Sequence, residues 1–243
     1  MIKKLLLGIF LSMFLFTGTA QAQVSELPEP GLLPDSPFYF LKSWTEGIGT
    51  LFTFGDVAKT ERFINLSEKR LAEAQALVEK GKPEIAERAI IRYQEHLNLA
   101  LAKAEKAKTK GLDTDEVLAK VAEATLKHQV VLADVYERVP EQAKSAIEQA
   151  MQAGMRGHEE ALKAVSGQKR EEVIEQVEQR WQEVEQKIDK LKKEGKPIPT
   201  IPTREEIQKR IPVQPEPEKQ QLPGKPETQK PAETGKPQTP GKP

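Results

Sequence analysis

Few side chains in this sequence could do chemistry: there are three histidines, His96, His128 and His158, and no cysteine. Each histidine falls on an apolar helix face. His96 lies beside Ile85, Ala89 and Ala100, His128 beside Val121, Leu132 and Val135, and His158 beside Met151, Ala161 and Val165. His96 and His128 are also symmetric about a turn centred on residue 112. An antiparallel hairpin sets them at one level, where Ser67 of the preceding helix falls as well. A Ser67/His96/His128 layer leaves three chemistries open: a polar crosslink in the core, a metal pocket with His96 and His128 as weak candidate ligands, or a crude nucleophile and base. Hydrolysis lacks an acid to orient the base and a turn to build an oxyanion hole. Metal binding lacks the Glu-x-x-His pairs of di-iron bundles and any His-Glu-x-x-His phrase. No glycine-rich phosphate loop or metal-spaced carboxylate cluster occurs. The expectation is a hydrogen-bonded structural layer, no catalytic residue, no cofactor, and a protein that is not an enzyme.

The elements that must position these groups are helices. Punctuation and a period near 3.6 predict six helices and no strand between residues 36 and 195. The first follows Ser36-Pro37. The second runs from Val57 to Lys80 and stops at Gly81, and the third runs from Pro83 to Gly111. The fourth opens at Asp113-Thr114-Asp115-Glu116 and ends before Pro140. The fifth spans Pro140 to Gly167 and the sixth Lys169 to Glu194. Long rods joined by short loops predict an all-α fold, an elongated antiparallel bundle. In the sixth helix Ile174, Val177, Trp181, Val184, Ile188 and Leu191 step by heptad a/d spacing. That stripe serves either as a bundle face or as a coiled-coil seam for self-association from Ile174 to Leu191.

The first helix stands apart. Residues 30–56 hold six aromatics, namely Phe38, Tyr39, Phe40, Trp44, Phe52 and Phe54. On a wheel Phe38, Phe40, Leu41, Trp44, Ile48, Leu51 and Phe52 share a broad apolar face, with Tyr39, Lys42 and Glu46 opposite. Gly47 and Gly49 weaken the helix, so it needs tertiary support. The expectation is that Phe38, Leu41, Trp44, Ile48 and Phe52 of this face cap the second and third helices as a fixed lid, with Trp44→Ala costing about 3–5 kcal/mol. The rival reading makes them a detachable lid or a face for a membrane or partner.

The ends differ from the body. Lys3 and Lys4, an apolar run from Leu5 to Phe16, and Ala20-Gln21-Ala22 read as a signal peptide, residues 1–22, cleaved after Ala22. Localisation is then extracytoplasmic (periplasmic, cell-wall or secreted), with no integral membrane span. Residues 23–195 form the helical domain, with 26 Lys/Arg against 31 Asp/Glu. Residues 196–243 carry 12 of the 18 prolines, no aromatic, and 9 Lys/Arg against 6 Asp/Glu, and read as a disordered Pro/Lys-rich tail, with room for one or two helical turns from Thr203 to Ile211. Neither charge is strong enough to imply nucleic acid.

The phrases "LPDSPFYFLKSW" and "TFGDVAKTERFINLSEKRLAEAQALVEKGKPEIAERAIIRYQEHLNLAL" resemble a family of exported bacterial and archaeal proteins, domain of unknown function 5667, over about residues 28–108. The resemblance implies a helical, envelope-side domain and carries no catalytic residues. Two functions stay in view. One is a non-enzymatic cell-envelope structural or interaction protein whose partner is a protein or other envelope component. The alternative is a periplasmic chaperone-like or stress- or metal-sensing helical protein, which a large exposed apolar patch would favour, whereas a closed surface would favour the first.

Overall fold

Three helices of the body stop in the same way, and that shared stop sets the architecture. After Leu77, the Lys82 amide bonds back to the Leu77 carbonyl at 2.8 Å and the Gly81 amide to Val78 at 3.0 Å, with Gly81 at φ +68°. The same pair of bonds closes the chain around Gly111 and around Gly195, at φ +71° and +64°. A residue in the left-handed region satisfies orphan carbonyls and turns the chain, and glycine does so without a Cβ penalty.

The computed structural model describes residues 27–211. It holds α1 (Tyr39–Leu51), α2 (Asp56–Glu79), α3 (Pro83–Thr109), α4 (Asp115–Arg138), α5 (Glu141–Ala164), α6 (Gly167–Lys193) and α7 (Arg204–Arg210), with no strand among the described residues. The expected signal peptide, residues 1–22, lies outside them. Among them, no helix is long and apolar enough to cross a membrane.

Short loops reverse the chain between α2 and α6. α2 packs along α3 and α4 along α5, while α3 meets α5 and α2 meets α4, so α2–α5 form a four-helix bundle. Its centre is Leu71, Leu77, Ile90, Tyr93, Leu97, Leu126, Leu132, Ile147, Met151 and Met155, all fully buried. Each such side chain contributes roughly 1.5–3 kcal/mol by leaving water. α5 ends without a glycine. Instead the buried Arg170 side chain donates from Nε to the Leu162 carbonyl at 2.7 Å and from Nη2 to Val165 at 3.0 Å, capping the helix with a cation. Gly167, expected to close α5, opens α6.

α6 lies along α4, and this selects the bundle-face reading of its stripe. Val177, Trp181, Val184 and Leu191 of the heptad stripe are buried within the same chain, so the stripe is not presented to a second copy. Ion pairs Lys169–Glu116 at 2.9 Å and Lys187–Asp134 tie the two helices together.

The tail boundary also moves. Residues 196–211 are not loose: α7 carries a capping box between Thr203 and Glu206, with Arg204 on Glu178 at 2.7 Å. Ile207 and Ile211 are buried, in a seat shared with His158, Ile174 and Trp181. Two isoleucines gained enough apolar burial to order a proline-rich strap whose overall composition hides them. The remainder of the expected tail, residues 212–243, lies outside the described residues.

Candidate interaction face and the polar network beneath it

α1 is turned the opposite way from an ordinary surface helix. Its polar stripe, Tyr39, Lys42 and Glu46, faces α2 and α3. Its apolar stripe faces outward: Phe38 is 59% exposed, Leu41 44%, Trp44 66%, Ile48 37% and Phe52 67%. Phe40, Leu51 and Phe54 extend the same surface at 65%, 72% and 78%. The fixed-lid expectation is therefore wrong for all five residues named for it. Apolar burial lost the competition because α2 offers α1 a row of charges rather than an open apolar groove.

That row begins with Glu73, fully buried on α2. It accepts from the Tyr39 hydroxyl at 2.8 Å, from Lys42 at 2.5 Å and from Arg70. Arg70, also buried, reaches the Tyr39 hydroxyl at 2.7 Å and pairs with Glu46. Two cations and two carboxylates thus neutralise one another out of water, the condition under which buried charges are tolerated. Burial, followed by the Glu73 carboxylate, pushes the Tyr39 phenol up to about 12, so it stays a donor. Further along, Arg62 donates to the Glu46 carbonyl at 3.0 Å and crosses over Gly49, where an added Cβ would lie 2.7 Å from Nη2. Lys42 also holds the arm before the helix, donating to the Leu32 carbonyl at 3.1 Å. Leu27 and Leu33 of that arm are buried in the core.

The histidine layer forms with different members. His128, fully buried on α4, meets the Tyr93 hydroxyl of α3 at 3.2 Å through Nδ1, and its Nε2 faces Glu68 of α2 at 3.7 Å. An Nε2–H tautomer facing Glu68 lets Tyr93 donate to Nδ1. Ser67 bonds within its own helix, to the Ile64 carbonyl at 2.7 Å. His96 stacks on Phe63 at 6.1 Å, and burial first, then Arg70, holds its imidazole down at about 4. No hydrogen bond joins Ser67, His96 and His128 among the described residues. No group of three His, Cys, Asp or Glu side chains there is placed to hold a metal ion. Tyr93 and His128 join α3 and α4 by a hydrogen bond, with Glu68 of α2 close by at 3.7 Å; with Tyr93 and His128 fully buried, the line presents no nucleophile to a substrate.

The inward polar side of α1 was on view in the spacing of Tyr39, Lys42 and Glu46. Its partners, Arg70 and Glu73, sit three apart on α2 among core residues, and that was the available signal.

Part of the chain matches a known family. Residues 31–142 match the family described as domain of unknown function (DUF5667). That family's region takes in the arm, the outward aromatic helix, its charged seat, α2, α3 and α4, and reaches the first turn of α5. It extends beyond the 28–108 stretch of the resemblance. The rest of α5, which closes the bundle, and α6 and α7 lie beyond it. No curated protein and no solved structure matches the chain.

Proposed function

We propose that the protein is a non-enzymatic, exported, envelope-side module that docks on another envelope component through the outward face of α1. The single observation behind this reading is the inverted orientation of α1. A helix that buries its charges and exposes eight large apolar side chains gains nothing from its surface in isolation, and such patches mark interaction sites. The Arg70–Glu46 and Tyr39–Glu73 contacts hold the face in one orientation, so it is preformed for binding. Export rests on the sequence pattern of residues 1–22.

The exposed patch also favours a second reading, a chaperone-like holdase. The face is confined to one helix of 13 residues and the segments at its two ends, a shape that fits one docking contact better than diverse clients. The test is recovery of partners from envelope extract with the wild type and with Trp44→Ser/Leu51→Ser. Docking predicts a defined component lost with the variant. Suppression of aggregation of unrelated unfolded proteins by the wild type alone would carry the holdase reading instead.

A further inference from the structure

We infer that the α1 face docks on the α1 face of a second copy of the chain, the two helices antiparallel across a two-fold axis. This rests on the docking reading above and names its partner, an identical envelope-side chain. The amount of open surface fits. Taking about 200 Å² for a whole aromatic side chain and somewhat less for leucine or isoleucine, the eight large apolar side chains of the face, 37–78% exposed, leave roughly 900 Å² uncovered. Each partner of a standard stable pair buries about 800 Å². A two-fold axis sets one patch against itself, so a single face completes the interface and closes it.

The spacing suits a second helix. Leu41, Trp44, Ile48 and Leu51 step by three, four and three residues, the a/d spacing of a helix–helix seam. Beside Ile48 the seam has a notch, since a Cβ added at Gly47 would meet nothing within 4 Å. In an antiparallel pair centred between residues 47 and 48, Ile48 lies over the partner's Gly47 and Trp44 lies opposite the partner's Leu51. Bulk then meets the notch in both copies at once, which is the self-complementarity a two-fold interface requires.

The charges around the face select no other partner. From Phe38 to Gly55 the only charged side chains are Lys42 and Glu46, both turned inward, and the exposed Thr45 hydroxyl donates back to the Lys42 carbonyl at 2.9 Å. A different protein is told from its competitors by charged and hydrogen-bonding groups, and the outward side of α1 presents no charge to read. At the two ends both signs are exposed: Glu79 and Glu84 with Lys82 at one, Glu105 and Asp113 with Lys110 at the other. Mixed ends give no pull toward an anionic leaflet. In an antiparallel pair each end meets the opposite end without setting one sign alone against itself.

The test uses the cysteine-free chain, tagged and untagged together. Sedimentation equilibrium should show monomer and dimer exchanging in the micromolar range or tighter, and tagged protein should recover untagged copies. Trp44→Ser/Leu51→Ser should weaken both on the order of a hundredfold or more, with helix content unchanged. Ile48→Cys, close to the axis, should form an intermolecular disulfide on mild oxidation, whereas Phe54→Cys, about 20 Å from its counterpart, should not. Equal crosslinking at the two positions overturns the antiparallel pairing. Dimers that survive Trp44→Ser/Leu51→Ser overturn the inference by placing association elsewhere. A monomer throughout, with α1-dependent recovery of a different envelope protein, overturns the second copy and leaves the docking reading standing. Loss of both removes both. A monomer that instead partitions into phosphatidylcholine vesicles through α1 assigns the face to lipid and overturns the inference.

Discussion

The Tyr39 hydroxyl donates to the Glu73 carboxylate at 2.8 Å across 34 residues of sequence, both side chains being buried between α1 and α2. This contact orients α1: with the phenol turned in, Trp44 and Leu51 on the far side of the helix can only point out. Glu73→Ala strands Arg70 as a buried cation facing Glu46 alone, and should cost about 3–5 kcal/mol. Tyr39→Phe removes the bond to Glu73 together with those the hydroxyl accepts from Arg70 and Arg92, and should cost about 1.5–3 kcal/mol. Urea unfolding of both variants checks this. A cost under about 1 kcal/mol for Glu73→Ala would show that the network does not hold the helix.

A second prediction concerns acid. Burial pulls His158 down to about 4, although its bond to the Ala122 carbonyl at 2.8 Å pulls the other way. The unfolded chain takes up this proton near pH 6.5. Stability from neutral His158 is therefore whole above about 6.5, falls as pH drops, and is gone by about 4. His96, held down at about 4, acts in the same direction. Between about pH 7.5 and pH 5, His158 alone should remove about 2 kcal/mol. Unfolding free energies of wild type and His158→Gln at the two pH values measure the difference. An identical pH response would remove this histidine from the account.

The strap gives a third. Ile207 is 1% exposed against α5 and α6, so Ile207→Ala should cost about 2–4 kcal/mol, the lower figure applying if the strap lifts away. Limited proteolysis followed by mass measurement should leave residues up to Ile211 attached to the wild-type core and release cleavage near 196–203 in the variant. Cleavage of the wild type within 196–203 would contradict the seat formed by Trp181 and His158.

Helix positions and the all-α bundle were legible because glycine and proline punctuate long amphipathic rods: Gly81 and Gly111 turn the chain where the sequence places them. The α6 stripe was legible as a face, but its partner was not. Whether Val177 and Trp181 meet α4 or a second chain depends on which helix is nearest, and periodicity carries no such information. The histidine layer failed on neighbours too. Level along the bundle brought His128 to the right depth, whereas rotation about α2 and α3 decides whether Ser67 or Glu68, and His96 or Tyr93, points at it. α1 failed on sign. Its amphipathic pattern is plain, but the rule that apolar faces turn inward assumes an apolar seat, and Arg70 and Glu73 supply a charged one.

The outward set of α1 is the central claim, and the emission of Trp44 reports it most directly. Trp44→Ala should leave stability within about 0.5 kcal/mol, because a side chain 66% exposed has little burial to lose. The sharper measurement is acrylamide quenching of Trp44 fluorescence in the Trp181→Phe protein, at low concentration and without lipid. The account predicts water-like emission that acrylamide quenches freely. Blue-shifted emission shielded from acrylamide in that monomer would show that Trp44 is packed against the body, and would contradict it.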